Sequence, residues 1–268
     1  MKPSITAHMM VKNDDQWVWY AIQSVLPYVD QFLITDTGST DKTIEYINTI
    51  ASPKITFTQT GTHTPSEVLA VRQQQLQATK TDWLWMVDGD EFFPPKTCQE
   101  IVDSLSPQLV GIVVRRYDCL GDVFHYQPNE QVGGYHMFGQ TAHFSLRLVN
   151  CHLQGLTLQG EYPNEGFYDQ SGEPILTQPK DKFYITSNRF LHMTYLTRSS
   201  IGSNLKDTLH RQKYKVEWGK STPLEYTAPL LQLHPPDSSL IPQKRNLAYT
   251  MKAAILTPIK QLKRWILG

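Results

Sequence analysis

Two aspartates separated by one glycine, Asp88-Gly89-Asp90, carry the sharpest chemical signal in the sequence. On an extended backbone, residues two apart point to the same side, so the two carboxylates would face one point in space. Gly89 has no side chain to keep a ligand off the backbone. Paired carboxylates with open coordination suit Mg²⁺ or Mn²⁺, ions that in turn bind phosphate oxygens. A solvated acidic turn would spell the same three letters. The apolar run Trp83–Val87 favours the chemical reading, because it reads as a buried strand that delivers the motif at its end. The same alternation points Glu91 away from Asp88 and Asp90. A second signal, Asp36-Thr37-Gly38-Ser39-Thr40-Asp41, follows the apolar run Gln31–Thr35. A turn and a helix cap account for Gly38 and Asp41. They do not account for the carboxylate that ends the strand at Asp36, which could accept a hydrogen bond from a nucleobase N–H.

The elements that must position these groups alternate regularly. Ile5–Val11 reads as a buried strand. Asp14 or Asp15 then caps a helix carrying Trp17, Ala21 and Leu26, which stops near Pro27. Asp41 caps a helix with Ile44, Ile47 and Ile50, and Lys54–Thr58 alternates like a strand. Thr64-Pro65-Ser66-Glu67 is a capping box with proline at the first helical position, opening a helix to about Lys80. Strand–helix three times and then a strand implies an α/β fold, with parallel strands and crossover helices on both faces. Such sheets bind ligands outside the carboxyl ends of their strands, where Asp36 and Asp88 both sit.

The rest reads as α+β. Val110–Arg115 and Ser145–Val149 look like strands, separated by a polar, aromatic and glycine-rich stretch from Tyr117 to His143 that would shape a pocket. Glu161–Ser171 reads as loop, Phe190–Tyr195 as a short apolar piece, and Ser199–Lys215 as a helix. Five prolines between Thr222 and Pro242 suggest a linker, and Lys244–Leu267 a basic amphipathic helix. Trp17, Trp19, Trp83 and Trp85 read as packing, as do His63, His125, His136, His143 and His152.

Composition sets the class. With 268 residues, 40% hydrophobic and 19% charged, the chain is neither disordered nor a disulfide scaffold. Lys+Arg and Asp+Glu are 25 each, which argues against a globally basic nucleic-acid binder. Beyond Asp237 there is no acidic residue but six basic ones, Lys244, Arg245, Lys252, Lys260, Lys263 and Arg264. Trp265, Ile266 and Leu267 beside Lys263 and Arg264 point this tail toward peripheral contact with a membrane. The three cysteines, Cys98, Cys119 and Cys151, are odd in number and lack metal-ligand spacing, which suggests a reducing compartment. Without a leader pattern or a long apolar run, the expectation is a cytoplasmic protein, peripheral on the inner face of the membrane.

Taken together, these motifs resemble the family 2 glycosyltransferases of the GT-A fold, over roughly residues 4–215. Met9-Met10-Val11-Lys12-Asn13-Asp14 is similar to the family's first strand, DTGSTDKT to its second-strand turn, and WLWMVDGDEFF to its metal-binding strand. Val71-Arg72 lies where the family commonly carries an Arg or Lys near the nucleotide. In the second half, Ser145-Leu146-Arg147-Leu148-Val149-Asn150 is similar to a strand preceding the acceptor site in a bacterial cell-surface glycan branch. A His-Glu pair usually follows there. Here Pro163-Asn164-Glu165-Gly166 keeps the Glu and replaces the His by Asn164. Leu191-His192-Met193-Thr194-Tyr195 resembles the branch's later His segment.

The resemblance implies a GT-A domain over 1–218, with a nucleotide-sugar-binding half (1–110) and an acceptor half (111–218), followed by a linker and basic amphipathic tail over 219–268. It implies a metal-dependent, inverting hexosyltransferase that uses a nucleotide sugar, by default a UDP-sugar, and a glycan or lipid-linked acceptor. Val11, Asn13, Asp36, Gly38, Arg72 and Asp88 would meet the nucleotide. Asp88, Asp90 and His192 would hold Mn²⁺ or Mg²⁺, and Glu165 would be the general base, with Glu91 and Glu161 ranked below it. Two alternatives stand beside this reading: a sugar-1-phosphate nucleotidyltransferase, and a non-catalytic nucleotide-sugar or glycan-binding protein of the same fold. The first lacks its glycine-rich triphosphate loop here. The Asn164 departure keeps the second in view.

Overall fold

The computed structural model describes residues 2–61, 64–131, 136–202 and 213–267. The first part runs β1 (Ile5–Val11), α1 (Val18–Val25), β2 (Gln31–Asp36), α2 (Thr43–Asn48), β3 (Ile55–Gln59), α3 (Pro65–Ala78) and β4 (Trp83–Met86), the alternation expected from the sequence. There follow β5 (Glu91–Phe92), α4 (Pro95–Asp103), β6 (Gly111–Asp118) and three two-residue strands, β7 (His125–Tyr126), β8 (His136–Met137) and β9 (Gln140–Thr141). The chain continues with β10 (Phe144–Asn150), β11 (Thr157–Gln159), β12 (Gly166–Tyr168), β13 (Phe183–His192), β14 (Lys220–Ser221), α5 (Leu224–Leu231) and α6 (Leu247–Leu267).

Eight strands form one sheet in the order β3-β2-β1-β4-β10-β6-β13-β5. The pairs β3/β2, β2/β1, β1/β4 and β6/β13 are parallel. Strand β10 runs antiparallel between β4 and β6, and β5 closes the far edge antiparallel to β13. All the parallel strands therefore point the same way, and their carboxyl ends share one edge of the sheet.

Period-two alternation sorts the side chains onto two faces. Trp83 and Trp85 enter one core with Ile22 of α1, Ile47 of α2 and Ile101 of α4. Leu84 and Met86 enter a second core, against Leu69 and Leu76 of α3 and Leu158 and Phe167 of β11 and β12. Helices thus cover both faces, and burying each of these large side chains contributes about 1.5–3 kcal/mol.

Local signals match the structure unevenly. The capping box forms as expected, with Thr64 N donating to Glu67 Oε2 at 2.7 Å. Asp41 Oδ1 accepts from Thr43 N at 2.9 Å and so serves the start of α2. Helix α1 differs: it starts at Val18, and neither Asp14 nor Asp15 caps it. The Asp14 carbonyl accepts from Trp17 N and Val18 N, while its carboxylate is taken by Arg198.

The proline-rich segment 222–242, expected as a linker, is packed into the body. Tyr226, Leu230 and Leu240 are buried in the first core, and Tyr20 Oη donates to Leu240 O. The prolines break up helices here without freeing the chain, because enough apolar residues lie between them to bury. The helix expected over 199–215 falls mostly on 203–212, outside the described residues. The flanking parts, 199–202 and 213–215, are not helical. Ser199 and Ser200 are instead held by Asp41 and Asp15. The tail forms the helix α6. Among the described residues, no helix is long and apolar enough to cross a membrane.

Candidate active site

A cavity of about 790 Å³ opens at the shared carboxyl edge of the sheet. Its wall takes Val11 and Lys12 from the end of β1, Asp88, Gly89 and Asp90 from the turn after β4, Arg147 from β10, and His192 from the end of β13. Arg72 of α3, Asp14, Arg198, and the loop Tyr162–Gly166 complete it. Six basic side chains (Lys12, Arg72, Arg116, Arg147, Arg198, Lys213) face four acidic ones (Asp14, Asp88, Asp90, Glu165), so the wall suits an anionic ligand.

The Asp88-Gly89-Asp90 segment is a turn; β4 stops at Met86. Its carboxylates consequently have separate partners. Asp88 Oδ2 accepts from Arg147 Nη2 at 3.0 Å, and its Oδ1 lies 3.9 Å from Arg72 Nη2. Burial alone would raise the Asp88 carboxyl, but Arg147 and Arg72 outweigh it and hold the group below the usual carboxylate range. Asp90 lies 3.7 Å from His192 Nε2 and 3.5 Å from Arg198 Nε. The space beside Gly89 is filled by Asp14: a Cβ there would lie 2.9 Å from Asp14 Oδ2. The glycine is thus required by a carboxylate of the chain itself.

Glu91 does not point away from the motif. The turn brings it back under Asp88, where Arg147 bridges the two carboxylates and Asp88 N donates to Glu91 Oε2 at 3.2 Å. Glu91 is buried, and burial pushes its carboxyl up to about 7, with Arg147 opposing.

Among the described residues, no group of three or more His, Cys, Asp or Glu side chains converges as a metal site. The expected trio of Asp88, Asp90 and His192 does not converge; Asp88 faces Arg147 and Arg72 instead. Asp90 and His192 do face each other. Asp118 Oδ1 lies 2.9 Å from His192 Nδ1. Although burial opposes it, Arg116 and the two neighbouring histidines, His143 and His192, hold Asp118 well below its usual range, so it accepts from Nδ1–H. In the neutral ring Nε2 is then an acceptor turned toward the Asp90 carboxylate. Oxygen and imidazole donors with a carboxylate behind the histidine suit a divalent cation.

Glu165 reaches the cavity on the other side. Its Oε1 lies 2.8 Å from Arg72 Nε, and its Oε2 is buried with no hydrogen-bond partner among the described residues. Arg72 therefore ties Glu165 to the Asp88 side of the cavity.

Asn13, Asp36 and Gly38 are brought together but are not among the residues lining the cavity. Asp36 Oδ1 accepts from Gly38 N and Ser39 N, each at 3.0 Å, and Asn13 Oδ1 accepts from Thr40 N at 2.7 Å. Gly38 has φ 95°, a conformation that favours glycine. Asp36 Oδ2 is buried without a hydrogen-bond partner among the described residues. Of this turn, Thr37 is the residue in the wall.

Sequence reasoning named Arg72 but assigned no role to the other arginines of the wall, Arg116, Arg147 and Arg198. Arg147 was legible as an arginine alternating with apolar residues in a buried strand, a position that demands a carboxylate partner. Arg198 and Asp14 had no local signal: 184 residues separate them.

The profile for Glycosyl transferase family 2 matches residues 6–160, more than half of the chain. No curated protein matches. Among solved structures, the chain is similar to S. aureus TarS 1–349 in complex with UDP-GlcNAc. The identity is 14%, with 51% of this chain and 38% of that one covered and a TM-score of 0.39. It is similar to mannosyltransferase PcManGT from Pyrobaculum calidifontis in complex with GDP-Man and Mn²⁺, at 14% identity, 43% and 36% coverage and a TM-score of 0.35. It is also similar to 4-diphosphocytidyl-2C-methyl-D-erythritol synthase from Anaerococcus prevotii, at 9% identity, 56% and 73% coverage and a TM-score of 0.37. The chain spans little more than a third of TarS 1–349.

Proposed function

Because the chain belongs to glycosyl transferase family 2, we propose that it transfers a hexose from a nucleotide sugar, a UDP-sugar by default, to a hydroxyl of a glycan or glycolipid, with inversion at the anomeric carbon. The observation that carries this reading is the arrangement of one cavity. A cation-rich wall for a diphosphate and a carboxylate with an uncommitted oxygen, Glu165 Oε2, line the same space.

The diphosphate gains negative charge as its bond to the sugar breaks. Arg147, Arg198 and Lys12 supply fixed positive charge for it, preorganised before the substrate arrives. Arg147 and Arg198 are themselves held by carboxylates, so they need no reorientation. Glu165 Oε2 takes the proton of the acceptor hydroxyl while Arg72 keeps Oε1 in place. One base and a direct displacement suffice for inversion.

Asp88, Asp90 and His192 would hold Mn²⁺ or Mg²⁺, with Glu91 keeping Arg147 in place beside them. When bound, the ion supplies Lewis-acid stabilisation of the leaving diphosphate. Asn13, Asp36 and Gly38 act on the nucleotide by fixing the turn that presents Thr37 to the cavity. The acceptor would enter beside the loop Tyr162–Gly166, which carries Glu165 in the same cavity wall.

The test is nucleoside diphosphate release from a panel of UDP-, GDP- and dTDP-sugars with Mn²⁺ present, without acceptor. Hydrolysis of one UDP-sugar supports the reading. UDP binding without hydrolysis of any donor in the panel overturns it in favour of a binding protein.

A further inference from the structure

Helix α6 meets the rest of the chain through one face. Ala253 and Thr257 are buried, Tyr249 Oη donates to Lys215 O at 3.1 Å, and Lys260 Nζ and Arg264 Nη2 lie 3.7 and 2.7 Å from Oε1 of the buried Glu217. At 3.6 residues per turn these five positions fall within an arc of about 80°.

Leu247, Met251, Ile255, Ile259, Leu262 and Ile266 follow one another at spacings of four and three, along an arc of about 120° centred opposite the docked face. All six are exposed, Ile255 at 64% and Leu247 at 73%, and Trp265 at the edge of the stripe is 81% exposed. A surface helix of a globular protein turns such a stripe inward. Here it points directly away from the body, and a continuous apolar patch of this length calls for an occupant.

The charges select the occupant. Lys252 and Lys263 border the stripe, Lys244 and Arg245 precede the helix, and no acidic residue follows Asp237. Two copies packed stripe to stripe would bring these lysines together with no carboxylate on either helix to meet them. An anionic lipid surface offers both partners at once: phosphates for the lysines and acyl chains for the stripe. We propose that α6 lies in the headgroup layer of an anionic bilayer, with its apolar stripe sunk toward the acyl chains and its opposite face carrying the body. Lys213, in the cavity wall, precedes Glu217 by four residues, so at most ~14 Å of chain separates the cavity from the helix anchor.

The experiment is co-sedimentation of the full chain with vesicles of phosphatidylcholine alone and of phosphatidylcholine mixed with phosphatidylglycerol. Binding is expected to the mixed vesicles and to weaken as NaCl is raised. The double variant Ile255→Glu, Ile259→Glu should lower it about tenfold or more with an unchanged circular dichroism spectrum, since both side chains are exposed. Lys252→Ala with Lys263→Ala should reduce the preference for the anionic vesicles. Equal partitioning of wild type and the double Glu variant overturns the proposal. So does a dimer in sedimentation velocity that the double Glu variant abolishes, because the stripe would then be covered by a second copy.

Discussion

Arg198 holds Asp14 in a two-pronged pair: its Nε and Nη2 lie 2.5 and 2.7 Å from the two carboxylate oxygens, and the same Nε lies 3.5 Å from Asp90 Oδ2. One guanidinium thus joins the turn after β1 to the turn after β4 from a segment near residue 200. Burial raises the Asp14 carboxyl to about 6 even with Arg198 opposing it.

Replacing this arginine leaves a buried carboxylate without its counter-charge. Arg198→Ala is expected to cost about 3 kcal/mol at pH 8. The loss should shrink at pH 5, where Asp14 can take up a proton. Urea denaturation at the two pH values checks both magnitude and sign.

Glu165→Gln keeps a carbonyl oxygen for Arg72 but removes the proton acceptor. Sugar transfer should fall by about 10²- to 10⁴-fold, with UDP affinity retained in calorimetry. An unchanged turnover would assign the base to another residue.

Asp118 orients His192 through Nδ1. Asp118→Asn should weaken Mn²⁺ binding by about 10- to 100-fold, while UDP binding measured without metal stays close to wild type. Direct Mn²⁺ titration reads the effect independently of turnover.

Glu91 gives a pH signature. Its carboxyl is raised from the ordinary 4.5 to about 7 by burial. A raised acid stabilises the fold below its unfolded value, and that contribution is lost as pH climbs through the folded value. Wild type should therefore lose stability relative to Glu91→Gln between roughly pH 4.5 and 7. A stability difference independent of pH would contradict the assignment.

Leu230 is fully buried within the proline-rich segment. Leu230→Ala should destabilise the protein by about 2–5 kcal/mol, as a core position does. A loose linker would give a change near zero in the same urea titration.

The parts legible in the sequence were those with local causes. The alternation up to β4, the capping box at Thr64 and the placement of Asp88 and Asp90 at a strand end all follow from periodicity and turn chemistry. What stayed hidden depends on contacts across the chain. Asp14 reads as a cap because its distant arginine leaves no trace nearby, and Glu91 reads as outward-facing because nothing local marks the turn that follows β4. Segment 222–242 looked like a linker because prolines are visible in a sequence and the groove that buries Leu230 and Leu240 is not.

The threading of the sheet bears on how the protein comes into being. Strand β10 lies between β4 and β6, and β5 pairs with β13 at the far edge. A nascent chain released to residue 110 would hold half a sheet, with β4 and β5 each missing a partner. Nonlocal pairings of this kind form slowly, so His192 must clear the ribosome before the sheet can close, and a dissection of the gene between the two halves should yield fragments that need one another to fold.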